Sequence, residues 1–292
     1  MAATAEVRLT APTSSAPPPR PGAREEALAS RLFHALAPRL ARSVSPEPPA
    51  ALAPWEERTV PDGRGGSLAA TWFPARGRPV GAVLFLHPWL EWGRAYFHRR
   101  GRLEGVRAAG FHALAVDLPG FGASARRRGF SDVAVAAALA HLAEGGAGLP
   151  RGVWGVSAGG YWAHLALSRV AGAVAAFFED VSPHLMEWSW RTAPWGRPAF
   201  VLFRLLFPRS YRFLDLRLHV PHLGRHRLAY VSGEQDQGVP PADTTALARL
   251  SGARSRIVPG AAHLGAIRVE EGRILSLALE TFEGGAAEVG CR

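Results

Sequence analysis

Apolar residues recur along the chain in short runs separated by turn signals. Three of these runs are almost wholly apolar, which is typical of strands buried on both faces of a sheet: Val80–Leu86, Phe111–Val116 and Val153–Val156. Three further runs predict strands: Gly172–Phe178, Arg227–Ser232 and Arg256–Pro259. Helix-compatible segments lie between or after them: Arg100–Ala109, Ser131–Ala143 and Arg273–Phe282. This alternation predicts an α/β fold with a mostly parallel, doubly wound sheet.

Two shorter segments, Glu56–Val60 and Ser67–Phe73, precede this pattern and alternate between polar and apolar residues. The turn residues Pro61-Asp62-Gly63 lie between them, so the pair predicts two antiparallel strands. The sheet is therefore expected to be mixed, within one domain that spans residues 55–284. Residues 285–292 are predicted to be a C-terminal tail.

The N-terminal 54 residues differ in composition from that domain. Residues 1–22 are rich in Ala, Thr, Ser and Pro, which predicts disorder, and residues 43–54 form a proline-rich linker. Leucine recurs every fourth residue from Leu28 to Leu40, which predicts an amphipathic helix near residues 24–40, weakened by Pro38. This helix either docks on the domain or lies on a membrane surface, and its modest apolar face favours the first interpretation.

Residues 182–223 interrupt the alternation, because a plain crossover between two strands needs far fewer residues. The segment is rich in arginine and in aromatic residues, namely Trp188, Trp190, Trp195, Phe200, Phe203, Phe207, Tyr211 and Phe213. We interpret it as a small helical cap. Its aromatic side chains either line a pocket for an acyl group or hold the cap on the domain, and both roles are compatible.

The composition of the 292 residues allows a full core, since 48% are hydrophobic. The formal charge is +10, but the chain contains no lysine, and Arg126–Arg128 is the one basic cluster, so we expect no nucleic-acid partner. The single cysteine, Cys291, allows no internal disulfide bond. No apolar run is long enough to span a bilayer and no secretory signal is visible, so a cytoplasmic location is expected.

The sequence Gly155-Val156-Ser157-Ala158-Gly159 follows a predicted strand and precedes a helix-compatible run. In this context a G-x-S-x-G motif indicates a sharp turn that carries a nucleophilic serine, because only glycine fits close to so tight a turn. Ser157 is therefore the candidate nucleophile. The backbone N–H of Ala158, at the start of the helix, is a candidate donor to an oxyanion.

A serine nucleophile needs a base, and the base needs a carboxylate that orients it. Asp236 follows the strand Arg227–Ser232 and His263 follows the last strand, so they are the candidate acid and base. Glu234 and Asp180 are alternative acids. Other histidines downstream of the serine are alternatives to His263, namely His164, His184, His219, His222 and His226.

A second oxyanion donor is expected from the loop after Val80–Leu86, which reads His87-Pro88-Trp89-Leu90. Pro88 has no N–H, so Trp89 is the candidate, with Leu90 as the alternative.

The order of these motifs, together with the turn Asp117-Leu118-Pro119-Gly120-Phe121-Gly122-Ala123-Ser124, resembles the α/β-hydrolase superfamily over residues 56–284. Pro88 departs from the His-Gly that this family usually has. The resemblance implies a Ser157–Asp236–His263 triad and hydrolysis through an acyl-enzyme, with no metal or cofactor. The serine argues against the epoxide hydrolases and haloalkane dehalogenases, which use an aspartate nucleophile.

Within that superfamily, the chain is most similar to carboxylesterases and lysophospholipases. The expected substrate is a small-molecule or lipid-like ester or thioester with an apolar acyl part. C–C bond hydrolysis, amide hydrolysis and acyl transfer use the same triad and stay open, as does a non-catalytic binding protein on this scaffold. Neither the oligomeric state nor the exact substrate is predicted.

Overall fold

The computed structural model describes residues 16–36, 47–89, 93–99, 101–124, 129–145, 148–192 and 197–289. Some predicted features lie outside these described residues, namely residues 1–15, Pro38, Leu40, Leu90, Arg126–Arg128, Trp195 and Cys291. Within the described ranges, no helix combines the length and the apolar character that crossing a bilayer requires.

One eight-stranded sheet, in the order β1-β2-β4-β3-β5-β6-β7-β8, forms the centre of the domain. The strands are β1 (Glu56–Pro61), β2 (Ser67–Phe73), β3 (Gly81–Leu86), β4 (Phe111–Val116), β5 (Arg151–Val156), β6 (Ala175–Glu179), β7 (Arg227–Gly233) and β8 (Arg254–Val258). Strand β2 pairs antiparallel with β1 and with β4, and all other neighbours are parallel. The mixed, mostly parallel sheet predicted from the sequence is thus confirmed.

Ten α-helices connect or flank the described strands. They are α1 (Ala23–Leu36), α2 (Arg102–Ala108), α3 (Asp132–Gly145), α4 (Ala158–Leu167), α5 (Leu185–Thr192), α6 (Arg197–Leu206), α7 (Pro208–Phe213), α8 (Pro241–Ser251), α9 (Ala266–Val269) and α10 (Glu271–Val289). Short 3₁₀ helices occur at Ala50–Leu52, Gly93–His98, Leu216–Leu218 and Val220–Leu223. Helices α5, α6 and α7 lie in the predicted cap, which is therefore helical.

The core consists of two apolar layers, one on each face of the sheet. Along β3, Leu84 belongs to the layer that contains Trp162 of α4, whereas Val83 and Phe85 belong to the opposite layer. Phe85 stacks on Trp154 there, with ring centroids 5.6 Å apart. Because both faces of β3 are covered, every residue of this strand is buried and the run is continuously apolar.

The described part of the N-terminal segment packs against the domain. Arg20 donates hydrogen bonds to Glu26 in α1 and to Asp132 at the start of α3. Glu25 accepts hydrogen bonds from both the backbone N–H and the hydroxyl of Ser210 in α7. The predicted disorder through residue 22 therefore does not hold at Arg20, and α1 docks on the domain as the first interpretation proposed. Composition alone missed this because the contacts of Arg20 with Asp132 and of Glu25 with Ser210 join residues far apart in sequence.

The last helix continues beyond the end predicted from the sequence. We expected it to stop at Phe282 and a tail to begin at residue 285, but α10 runs to Val289. Gly284 lies within this extension, next to the guanidinium group of Arg227.

A buried ion pair joins α2 to the carboxyl end of β6. Arg102 donates from Nε to Glu179 Oε1 (3.1 Å) and from a terminal nitrogen to Oε2 (2.9 Å), and both side chains are at most 1% exposed. Trp154 Nε1 donates to the same Oε1 at 2.5 Å. The backbone oxygen of Glu179 accepts from the N–H of Ser157, so the residue that carries the buried carboxylate also bonds to the candidate nucleophile.

Removing one member of this pair should leave a buried charge without its partner. We expect Arg102→Met to lower the free energy of unfolding by about 3–5 kcal/mol, measured by chemical denaturation. The double variant Arg102→Met/Glu179→Gln removes both charges and keeps an acceptor for Trp154, so it should recover more than half of that loss. A double variant no more stable than Arg102→Met would contradict this account.

Candidate active site

Ser157 occupies a strained turn between β5 and α4. Its φ is 48° and its ψ is −113°, a conformation that few non-glycine residues adopt. The turn is possible because α4 begins very close to the sheet. A Cβ on Gly159 would lie 2.1 Å from the backbone oxygen of Leu86, and one on Gly155 would lie 2.5 Å from the Cα of Gly160. The glycines of the motif are therefore required by backbone-to-backbone contact.

The three residues predicted as a triad lie in one chain of contacts. Ser157 Oγ is 3.4 Å from His263 Nε2, and His263 Nδ1 is 2.6 Å from Asp236 Oδ2. The other oxygen of Asp236 accepts from the backbone N–H groups of Gly238 (2.9 Å) and Val239 (2.8 Å). Asp236 is thus held on the loop after β7, facing the loop after β8 that carries His263.

The alternatives considered from the sequence make other contacts. The carboxylate of Glu234 accepts from the backbone N–H of Gly260, not from the imidazole of His263. Four of the other histidines hydrogen-bond to backbone carbonyl oxygens and have structural roles: His164, His184, His219 and His226.

Asp180 is close to the same imidazole but does not take the place of Asp236. It follows β6, and its two oxygens accept from the backbone N–H groups of Gly233 (3.1 Å) and Leu264 (2.7 Å). It therefore ties the end of β7 to the residue that follows His263. Its position at a strand end made it a rival acid, but no sequence signal indicated this bridging role.

Backbone strain is concentrated at this cluster. Among the described residues, the non-glycine residues with positive φ are Ser157 (48°), Asp180 (50°) and Leu264 (58°). Ser157 belongs to the predicted triad, Leu264 directly follows His263, and Asp180 makes the bridge described above. Strain of this kind persists only where surrounding contacts impose it, which marks the rim as a candidate functional site.

Two opposing effects act on the pKa of His263. Burial favours the neutral imidazole and would lower the pKa, but the hydrogen bond and charge of Asp236, with the charge of Asp180, outweigh it and raise the pKa above 6.5. Burial raises the pKa of Asp180, and the charge of His263 opposes this effect, so that the pKa is about 6. The site thus stabilises an imidazolium, which a base acquires when it accepts a proton from a serine.

Asp180, Asp236 and His263 also offer ligand atoms within 4.8 Å of one another, a spacing that would suit a metal ion. Their donor atoms are already used, however. Both oxygens of Asp180 accept backbone N–H groups, and Asp236 uses one oxygen on two N–H groups and the other on His263. We therefore interpret the cluster as a hydrogen-bonded network.

A small pocket lies next to Ser157. The residues that line it are Trp89, Ser157, Ala158, Tyr161, Ser182, Leu185, Trp188 and Val239. The structure thus brings Trp89 and Ala158, the predicted oxyanion donors, to the same pocket as the serine. The lining is mainly apolar.

The loop that carries Trp89 is held by the buried imidazole of His87. Nε2 of this ring accepts from the N–H of Leu118 (3.0 Å), so Nδ1 carries the proton that it donates to the Pro88 oxygen (2.6 Å). Leu118 follows Asp117, whose carboxylate accepts from the backbone of Arg94 and of Ala123. The turn after β4 therefore supports the candidate oxyanion loop.

The cap aromatics divide between the pocket and the core. Trp188 lines the pocket, while Phe203 and Phe213 are fully buried in the core. Three others are partly buried against the same core: Phe200, Phe207 and Tyr211. Both roles considered for these side chains are therefore present, with the structural role more frequent among the described residues.

Comparisons with known proteins agree with this architecture. The chain is similar to an esterase from Pyrococcus furiosus (TM-score 0.69, 17% identity), over 85% of this chain and 97% of that one. It is also similar to a thermostable carboxyl esterase from Bacillus coagulans (TM-score 0.60, 16% identity), over 80% of this chain and 99% of that one. No protein-family model and no curated protein sequence matches it. The chain has the α/β-hydrolase fold, as its motifs implied.

Peptidases with this fold also resemble the chain. A puromycin-hydrolysing peptidase from Mycobacterium tuberculosis aligns with a TM-score of 0.55 and 20% identity. The alignment covers 80% of this chain but 41% of that one. The structural neighbours are thus both esterases and peptidases.

We expect Asp180→Asn to lower the pKa of His263, because a negative charge that favours the imidazolium is removed. The pKa is measured by NMR titration of the carbon-bound imidazole protons, with thermal unfolding as the test of folding. Asp62→Asn, in the turn between β1 and β2 at the far edge of the sheet, is the matched control and should leave this pKa unchanged. An unchanged pKa in folded Asp180→Asn would contradict the expected charge effect.

Proposed function

We propose that the protein is a serine hydrolase that cleaves a carboxylic ester or thioester with an apolar acyl part. The observation that carries this proposal is the contact chain Ser157–His263–Asp236, at 3.4 Å and 2.6 Å, beside an apolar pocket. The similarity to esterases agrees with it. We keep a cytoplasmic location as a prediction from the sequence.

In the proposed first step, Ser157 Oγ attacks the carbonyl carbon of the substrate while Nε2 of His263 takes its proton. The bond from the carbonyl carbon to the leaving oxygen or sulfur then breaks, and the imidazolium returns the proton to that leaving group. Asp236 holds Nδ1–H toward itself, so Nε2 is the nitrogen left free to accept. Water then attacks the acyl-enzyme, again with His263 as the base, and releases the acid.

The tetrahedral intermediate carries a negative charge on the former carbonyl oxygen. We propose that the N–H groups of Ala158 and Trp89 bind this oxygen. Ala158 is the first residue of α4, and the first N–H groups of a helix have no acceptor within the helix. Donors arranged before the reaction cost no reorganisation, and each contributes about 2.7–4 kcal/mol in comparable sites.

The pocket favours an apolar acyl group over a charged one. Leu185, Trp188 and Val239 contribute apolar surface, and the hydroxyl of Tyr161 is already bonded to the backbone oxygen of Leu214. An acyl chain that fills this space gains about 0.8 kcal/mol for each buried methylene group. Amide hydrolysis is the second candidate reaction, favoured by the similarity to peptidases.

We expect a fluorophosphonate probe to label the protein at Ser157, because a serine that a neighbouring base activates displaces fluoride from the probe and forms a phosphonate ester. Labelling is measured by mass spectrometry of the digested protein. Ser157→Ala should not be labelled. Ser182→Ala is the matched control, since Ser182 lines the same pocket but donates its hydroxyl to the backbone oxygen of His184 (3.0 Å). Absence of labelling in folded wild-type protein would remove the proposal.

A series of p-nitrophenyl esters of increasing acyl length, beside the matching anilides, should identify the substrate class. We expect higher kcat/KM for esters than for anilides, and Trp188→Ala should move the preferred acyl length upward because it enlarges the pocket. Trp190→Ala is the control, since Trp190 lies on the same helix and is exposed. A higher kcat/KM for the anilides would contradict the ester proposal and support amide hydrolysis.

A further inference from the structure

Helix α6 of the cap exposes apolar side chains to solvent. Its exposed residues include Val201 (47%), Leu202 (48%), Leu205 (71%) and Leu206 (57%), which we call the α6 face. Phe203 on the opposite side of the helix is fully buried. A helix on the surface of a soluble domain normally exposes its polar side, so a contiguous apolar face indicates a partner.

Exposed arginines lie on α6 and on its neighbour α7. Among the described residues, no carboxylate lies within ion-pair distance of the four exposed arginines of α6 and its neighbour α7, namely Arg197, Arg204, Arg209 and Arg212. The two acidic residues of the cap, Glu187 and Asp215, already pair with Arg217. The cap therefore combines an apolar face with uncompensated positive charge.

This combination decides between the possible occupants. A second copy of the chain, related by a two-fold axis, would bring the same positively charged cap surface to both sides of the interface. An anionic bilayer supplies an apolar phase and negative head groups at one surface, and arginine side chains reach from an apolar contact to such head groups. Of these two occupants, the anionic bilayer is the one that would both cover the apolar face and pair with the arginines.

We propose that the cap docks through the α6 face onto an anionic membrane surface. The face adjoins the pocket wall through α5. The ring of Trp190 on α5 meets that of Phe200 on α6 edge-on at 5.2 Å, and Arg197 lies 5.2 Å from the centre of the Trp190 ring. Trp188, on the same helix α5, lines the pocket. Docking does not depend on the proposed hydrolase activity, which can fail independently.

The test is sedimentation of the full chain with vesicles of phosphatidylcholine alone or mixed with phosphatidylglycerol. The wild-type protein should bind the mixed vesicles more strongly, and added salt should weaken this binding. We expect Leu205→Ser/Leu206→Ser to weaken binding about tenfold or more, because two exposed leucines no longer enter the bilayer. Val80→Ser/Val269→Ser is the matched control, since those valines are 42% and 54% exposed outside the cap.

A separate variant tests whether the arginines of the cap contribute to vesicle binding. Arg204→Gln/Arg209→Gln should weaken binding to the mixed vesicles and reduce its salt dependence, whereas Arg249→Gln on α8 should have less effect. Thermal unfolding checks that each variant is folded. The proposal is overturned if the wild-type protein does not bind mixed vesicles, or if Leu205→Ser/Leu206→Ser binds them as well as its control. A dimer in solution that only the leucine variant dissociates would assign the face to a second copy instead.

Discussion

The approach of α4 to the carboxyl end of β3 is the constraint on which the candidate site depends. No side chain fits between Gly159 and the backbone oxygen of Leu86, so the helix begins almost in contact with the sheet. This contact forces Ser157 into its strained turn and brings Ala158 next to the loop that carries Trp89. The parallel strands β7 and β8 end at the same rim and deliver Asp236 and His263 there. The site is thus a consequence of backbone packing first and of side-chain chemistry second.

Much of this arrangement could be predicted because its signals are local. Strands such as β3 are continuously apolar since both faces are covered, and the candidate acid and base follow strand ends that meet at one edge. Helix α8 was not predicted, since it buries only a narrow stripe that includes Leu247. The bridge that Asp180 makes to Gly233 and Leu264 could not be predicted either, because it joins three segments through backbone N–H groups.

Positive charge has different consequences in different parts of the molecule. The count of arginines gave no reason to expect a binding surface, and many of them are paired or buried. Arg102 pairs with Glu179 in the core, while the carboxylates of Asp180 and Asp236 raise the pKa of His263. On the cap, the positions of the arginines matter more than their total number, because the two acidic residues there, Glu187 and Asp215, already pair with Arg217.

The N-terminal segment supplies the counter-ion of a carboxylate that belongs to the domain. Asp132 is 2% exposed and accepts from Arg20, while Glu26 on α1 is bonded to Arg20 and to the N–H of Phe130. A shortened chain that began at β1 would keep Asp132 at the start of α3 but lose this cation. Such a chain would leave Asp132 without this hydrogen-bonded cation at the N-terminal end of α3, the helix that packs on α4. The described residues before β1 therefore contribute directly to the packing around the start of α3.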